Sequence, residues 1–125
     1  MQPSAPTRSL VAYDGSPAAR RALRSTVGRL HAGDRIGVIH VGEPASAAGV
    51  ALDAACLALA ARGIAVVPIH ALGDPARTIC VTAERDRYDT IVVGRRGDAD
   101  RGRLLLGPVS ARIVEGATCD VIVIA

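Results

Sequence analysis

The chain of 125 residues has no lysine, no tryptophan and no phenylalanine; its fifteen cationic side chains are all arginine, and Tyr13 and Tyr88 are its only aromatic residues. Without lysine there is no P-loop, Schiff-base or lysine general-base chemistry. Without aromatics interleaved among its arginines, and with a net charge of only +3, the chain carries little of the pattern of a nucleic-acid binder, and no such partner is expected. Cys56, Cys80 and Cys119 are odd in number and form no C-x-x-C pair, so they read as free thiols of a reducing compartment. The longest apolar run, 54–61, is far below the roughly 20 residues of a membrane span. The opening MQPSAPTRSL lacks the apolar centre of a signal peptide. A cytoplasmic protein with no membrane association is the expectation.

What is present is alternation. The runs SLVAY (9–13), RIGVIHV (35–41), AVVPIH (65–70), TIVVG (90–94) and DVIVIA (120–125) are short and β-branched, with apolar residues on both faces. Strands of a parallel sheet covered on both sides have this character. Pro68 would break a ladder bond in mid-sheet, which predicts an edge position for the third strand. Ser16 as N-cap and Pro17 at N1 open a first helix, with Ala19, Leu23, Val27 and Leu30 at helical spacing. A second, over about 47–62, is alanine-rich and stops at Gly63; with Asp53 as its one charge between Val50 and Ala61, it is either a contact surface or well buried. Asp74 and Pro75 open a third, with Ile79 and Ala83 inward. A fourth starts near Pro108, carries Val109 and Ile113 on one face and ends at Gly116. This order predicts one α/β domain over 1–125, an open five-stranded parallel sheet with helices on both faces and right-handed crossovers.

Ligands of such sheets bind beyond the carboxyl ends of the strands, where the strand order switches. The unusual residues fall at such ends: Tyr13-Asp14-Gly15-Ser16, His40-Val41-Gly42-Glu43 and Gly94-Arg95-Arg96-Gly97. Asp14 can accept hydrogen bonds from a ribose, or it can help to cap the first helix. Gly94, Gly97 and Gly107 let the backbone approach an anion, and a helix starting at Pro108 would aim its N–H groups at the charge. Alternatively the stretch is an ordinary charged loop. Arg95, Arg96, Arg101 and Arg103 either pair with phosphates or are solvated. His40 and His70 end neighbouring strands, within conceivable reach of Glu43 or Asp14, yet histidines there more often bond backbone or water, and no metal is expected. No Ser/His/Asp or Cys/His arrangement has supporting spacing, no G-x-G-x-x-G follows the first strand, and YDGSP lacks the paired glycines of the ATP pyrophosphatase loop. No catalytic residue is expected.

The G-x2-G-x9-G spacing after the fourth strand resembles the universal stress protein family (UspA-like). VAYDGSPAARRAL, IHV, GDPARTI, YDTIVVGRRG and CDVIVIA extend the resemblance over about 8–125. The resemblance implies sheet order 3-2-1-4-5, an adenine nucleotide alpha hydrolase-like fold, and a cytoplasmic stress-response or regulatory protein that is usually a homodimer and at most a slow ATPase. For the ATP-binding branch it implies adenine near Val41 and ribose near Asp14 and Gly94. Phosphates would lie along Gly97, Gly107 and Ser110; direct pairing with Arg95 and Arg96 is this chain's own means of partly offsetting a weakened phosphate site. The cofactor is then ATP or another adenine nucleotide. The family motif continues after its third glycine with Ser or Thr; here that residue is Pro108, which lacks both the hydroxyl and the N–H. Hydrogen bonds to charged groups are worth about 1.5–3 kcal/mol each, so losing one or two weakens ATP by roughly tenfold to several hundredfold. A branch without nucleotide, acting as a dimeric protein–protein interaction module with a regulatory partner, is the alternative. In either case the apolar edge Val121–Ile124 is expected to pair with a second copy.

Overall fold

The computed structural model describes residues 5–95, 97–98, 103–104 and 107–125. Among them the chain runs β1 (Arg8–Ala12), α1 (Pro17–Gly28), β2 (Arg35–Val41), α2 (Ala47–Ala61), β3 (Val66–Ala71), α3 (Pro75–Arg85) and β4 (Thr90–Gly94). It continues through β5 (Gly97–Asp98), β6 (Arg103–Leu104), α4 (Pro108–Gly116) and β7 (Asp120–Ile124). Three helices start at a side-chain oxygen that accepts an N–H of the first turn. Ser16 Oγ takes that of Ala19 at 3.1 Å, Ser46 Oγ that of Gly49 at 3.1 Å, and Asp74 Oδ2 that of Arg77 at 3.0 Å. α4 starts at Gly107, which has no side chain to offer. α2 ends as predicted, with Gly63 just beyond its cap at φ +79°, a conformation that glycine takes without steric penalty.

Five strands form one parallel sheet in the order β3-β2-β1-β4-β7, the predicted 3-2-1-4-5. Alternation sends neighbouring residues of each strand to opposite faces. Val11, Val38 and Val92 join Leu23, Leu52 and Leu59 under α1 and α2. Leu10, Ile39, Ile91 and Val93 join Ile79, Ala83 and Ile113 under α3 and α4. This two-sided burial is why the strands read as continuous apolar runs. Pro68 lies in β3, at the sheet edge, where alternate backbone N–H groups have no ladder partner to lose.

Some expectations are corrected. The outer face of α2 is not buried: Val50 is 58% and Leu57 72% exposed. The stretch after β4 is not wholly loop, because Gly97 and Asp98 pair antiparallel with Leu104 and Arg103. The three thiols are free, and burial pushes that of Cys56 up to about 11 and those of Cys80 and Cys119 upward as well. Among the described residues no helix is long and apolar enough to cross a membrane.

One glycine is imposed by packing. Tyr88, 7% exposed, leaves α3 and lays its hydroxyl end against Gly37 in the middle of β2, where a Cβ would overlap it. Arg8 covers the same ring at 5.1 Å from its centroid. Gly37→Ala should therefore destabilise the fold by about 1–3 kcal/mol through overpacking, read as a lower urea midpoint with an unchanged slope. An unchanged midpoint would show that Tyr88 can move aside at little cost.

Candidate functional site

A cavity of about 380 Å³ opens at the carboxyl ends of β1, β2 and β4. It exists because the connections leaving β1 and β4, which are neighbours, lie on opposite faces: α1 belongs to one core cluster and α4 to the other. Of the expected site residues, Asp14, Val41, Gly94, Gly107 and Ser110 all line it. Arg95 follows Gly94, its backbone N–H donating to Ile124 O at 2.7 Å. Gly97 begins β5, and Arg103 begins β6. Arg96 and Arg101 lie outside the described residues.

Local chemistry separates the roles of these residues. Asp14 is exposed, and its Oδ1 accepts the Ser16 N–H at 2.9 Å. The capping oxygen of α1 belongs to Ser16, so Asp14 braces the turn and keeps Oδ2 without a partner among the described residues. Gly94 answers to packing as well: a Cβ there would overlap the carbonyl of Ala18. Close approach of α1 to the end of β4 thus requires glycine whether or not a ligand is bound. In α4 the first N–H to reach an intrahelical carbonyl is that of Ala111, on Gly107 O at 3.0 Å. The N–H groups of Val109 and Ser110 head the helix without such acceptors. Pro108 occupies N1, where its fixed φ fits and no intrahelical donor is missed. Ser110 Oγ donates to Gly94 O at 3.4 Å, a long bond that leaves the hydroxyl easily redirected.

The walls include two strand-end residues to which the sequence pattern gave no binding role. Tyr13, 6% exposed, lines it, and burial raises its phenol above the ordinary value, with Arg20 opposing, so the ring stays a neutral donor. His40, 8% exposed, also lines it, with Nε2 at 3.4 Å from Ser46 Oγ and Gly42 beneath its ring. His70 Nε2 donates to Asp53 Oδ1 at 2.7 Å, which ties β3 to α2 and gives Asp53 its purpose. The two histidine rings meet edge-on at 6.4 Å. Among the described residues no group of three His, Cys, Asp or Glu side chains is placed to hold a metal.

Pro75 and Ile79 of α3 complete the wall beside α4. These two helices are joined by a fork. Arg112 Nη1 and Nη2 donate to Asp74 Oδ1 and Oδ2 at 2.8 and 2.9 Å. The Arg112 guanidinium and the Arg77 N–H hold the Asp74 carboxyl below its ordinary value of 3.8.

A parallel sheet with helices on both faces and its cavity at the switch in strand order defines the doubly wound α/β class. This chain belongs to the universal stress protein family. The family profile matches residues 45–125. A universal stress protein of Thermus aquaticus is 31% identical over 134 aligned positions, spanning 92% of this chain and 96% of its own. In shorter matches to other curated members the chain spans only about a third to a half of the relative's length. Among solved structures, a family member from Arabidopsis thaliana with AMP bound superposes with TM-score 0.73 at 26% identity, covering 95% of this chain and 91% of that one. One from Archaeoglobus fulgidus superposes with TM-score 0.76 at 30% identity over 94% of this chain and 43% of that one.

The fork has a pH signature. Because the folded carboxyl of Asp74 titrates below 3.8, its contribution to stability is complete above that value and fades as pH falls through the lowered one. Asp74→Asn keeps a capping oxygen and removes the titration. Between about pH 5 and pH 2 its urea midpoint should decline less steeply than the parent's. Parallel declines would show that the fork adds no pH-dependent stability.

Proposed function

We propose that this protein binds an adenine nucleotide in the cavity at the ends of β1, β2 and β4, as a cytoplasmic stress-response protein that senses or carries the nucleotide rather than turning it over. The observation that carries this reading is convergence: residues from four separate stretches, Asp14, Val41, Gly94 and the Gly107–Ser110 turn, line one cavity. Its volume of about 380 Å³ falls in the range of roughly 300–1,000 Å³ typical of small-molecule sites. The apolar side formed by Ile39, Val41 and Ile79 suits a base. The Oδ2 of Asp14, without a partner among the described residues, suits a ribose hydroxyl, and the N–H groups of Val109 and Ser110 suit a phosphate. The bound AMP of the Arabidopsis relative supports the same ligand class. Within that class ATP is our reading, its outer phosphates extending along Arg95, Arg96 and Gly97.

The second part of the proposal is a homodimer. β7 is an edge strand whose residues Val121 to Ile124 are only partly covered, and an apolar edge of this kind calls for a partner strand. Pairing with a second copy closes it. A regulatory protein partner would then read the nucleotide state of the dimer.

Titration calorimetry with ATP and AMP tests the nucleotide reading. Asp14→Ala should weaken both ligands by roughly tenfold or more, the worth of a hydrogen bond to a charged group, without unfolding the chain. Gly97→Val should weaken ATP in the same way. Pro108→Ser, which restores an N–H and a hydroxyl at the head of α4, should tighten ATP by roughly tenfold. If neither the parent nor Pro108→Ser binds ATP at millimolar concentration, the cavity holds no nucleotide and the chain acts through its dimer surface alone.

A further inference from the structure

Two of the three thiols meet on one face of the sheet. Cys80 of α3 and Cys119, the residue before β7, both pack against the cluster under α3 and α4. Cys119 takes that face by alternation, standing two residues before Val121, which packs against the same cluster. Cys56 belongs to the other cluster, with the sheet between it and the pair.

The end of α4 brings the two together. The Cys80 thiol donates to Ile113 O at 4.0 Å, and a Cβ placed on Gly116 would stand 3.8 Å from its sulfur. Cys119 comes three residues after Gly116, a stretch of chain that reaches at most about 10 Å. The two sulfurs feel each other: burial raises the Cys80 thiol, Cys119 raises it further, and the Arg112 guanidinium opposes both. Ala117, Thr118 and Cys119 fall between α4 and the first ladder pair of β7, Thr90 with Asp120. Cys119 can therefore shift toward Cys80 while the sheet stays as it is. A cavity of about 350 Å³, lined by Cys80 and Thr118, gives a small molecule access to the first thiol.

We propose that Cys80 and Cys119 form a dithiol site, which a low-molecular-weight disulfide oxidises to an internal disulfide joining α3 to the start of β7. The Cys80 thiolate attacks one sulfur of the small disulfide, and the other sulfur leaves as a thiolate that takes up the proton Cys80 released. The Cys119 thiolate then attacks the Cys80 sulfur of the mixed disulfide and expels the second small thiol in the same way. Two protein thiols are oxidised and one small disulfide is reduced to two thiols. Cys80 is the entry point because its thiol lines the cavity. Cys56, 5% exposed and pushed up to about 11, takes no part. This site stands apart from the nucleotide reading and does not depend on it.

Oxidised glutathione tests it on the full, folded chain. After overnight incubation the protein is unfolded, its remaining thiols are alkylated, and the digest is mapped by mass spectrometry. The expected map shows Cys80 joined to Cys119 within one chain, with Cys56 alone alkylated. Cys119→Ser should stop at a glutathione adduct on Cys80. Cys56→Ser should form the internal link at a rate within about twofold of the parent. Three alkylated thiols in the parent, a glutathione adduct that persists on its Cys80, or links only between chains would overturn the proposal. The parent map decides even where a serine variant folds poorly.

Discussion

The reversal of direction at β1 is the constraint on which the rest of this structure depends. The chain builds outward from β1 to β2 and β3, then returns to place β4 on the other flank of β1 and β7 beyond it. Right-handed crossovers running in opposite directions must cover opposite faces. That is why α1 and α2 share one core cluster while α3 and α4 share the other. At the seam, α1 and α4 diverge from neighbouring strands and leave the cavity between them. The cavity is thus a consequence of topology, and the sequence decides only what lines it.

What lines it reflects two demands at once. Gly94 must be glycine because the Ala18 carbonyl passes over it, and Gly107 starts a helix in extended backbone whose next residue is Pro108. Neither glycine by itself is evidence of a ligand. The distinctive features are polar groups with capacity to spare: Oδ2 of Asp14, a weakly held Ser110 hydroxyl, and helix N–H groups heading α4. A chain without lysine has only arginine and backbone N–H groups to offer an anion, and its Arg112 fork is spent on a carboxylate of its own, that of Asp74.

Much of this was legible in the sequence because it follows from period and punctuation. Two-faced apolar runs announced buried parallel strands, Ser16, Asp74 and the prolines after them announced helix starts, and Pro68 announced an edge. The lining of the cavity was legible as strand-end residues, once strand order put β1 beside β4. The pairings that join distant elements were not. Arg112 and Asp74 are 38 positions apart, and His70 and Asp53 17 apart, and no periodicity encodes either. The open face of α2 stayed undecided for a related reason: alanines suit burial and exposure equally, so composition could not distinguish the two. Tyr88 against Gly37 was hidden because a glycine within a strand does not reveal what fills the space above it.

The most direct measurement is a titration of the isotopically labelled protein with AMP, followed through its backbone amide resonances. The account predicts that the largest changes fall on Asp14 to Ser16, Val41, Gly94 and Gly107 to Ser110, with Val109 and Ser110 shifting as their N–H groups take the phosphate. The open face of α2 and the β3 edge should stay still. Changes centred anywhere else, or none at several millimolar AMP, would contradict it and leave the cavity a product of topology without a nucleotide to bind.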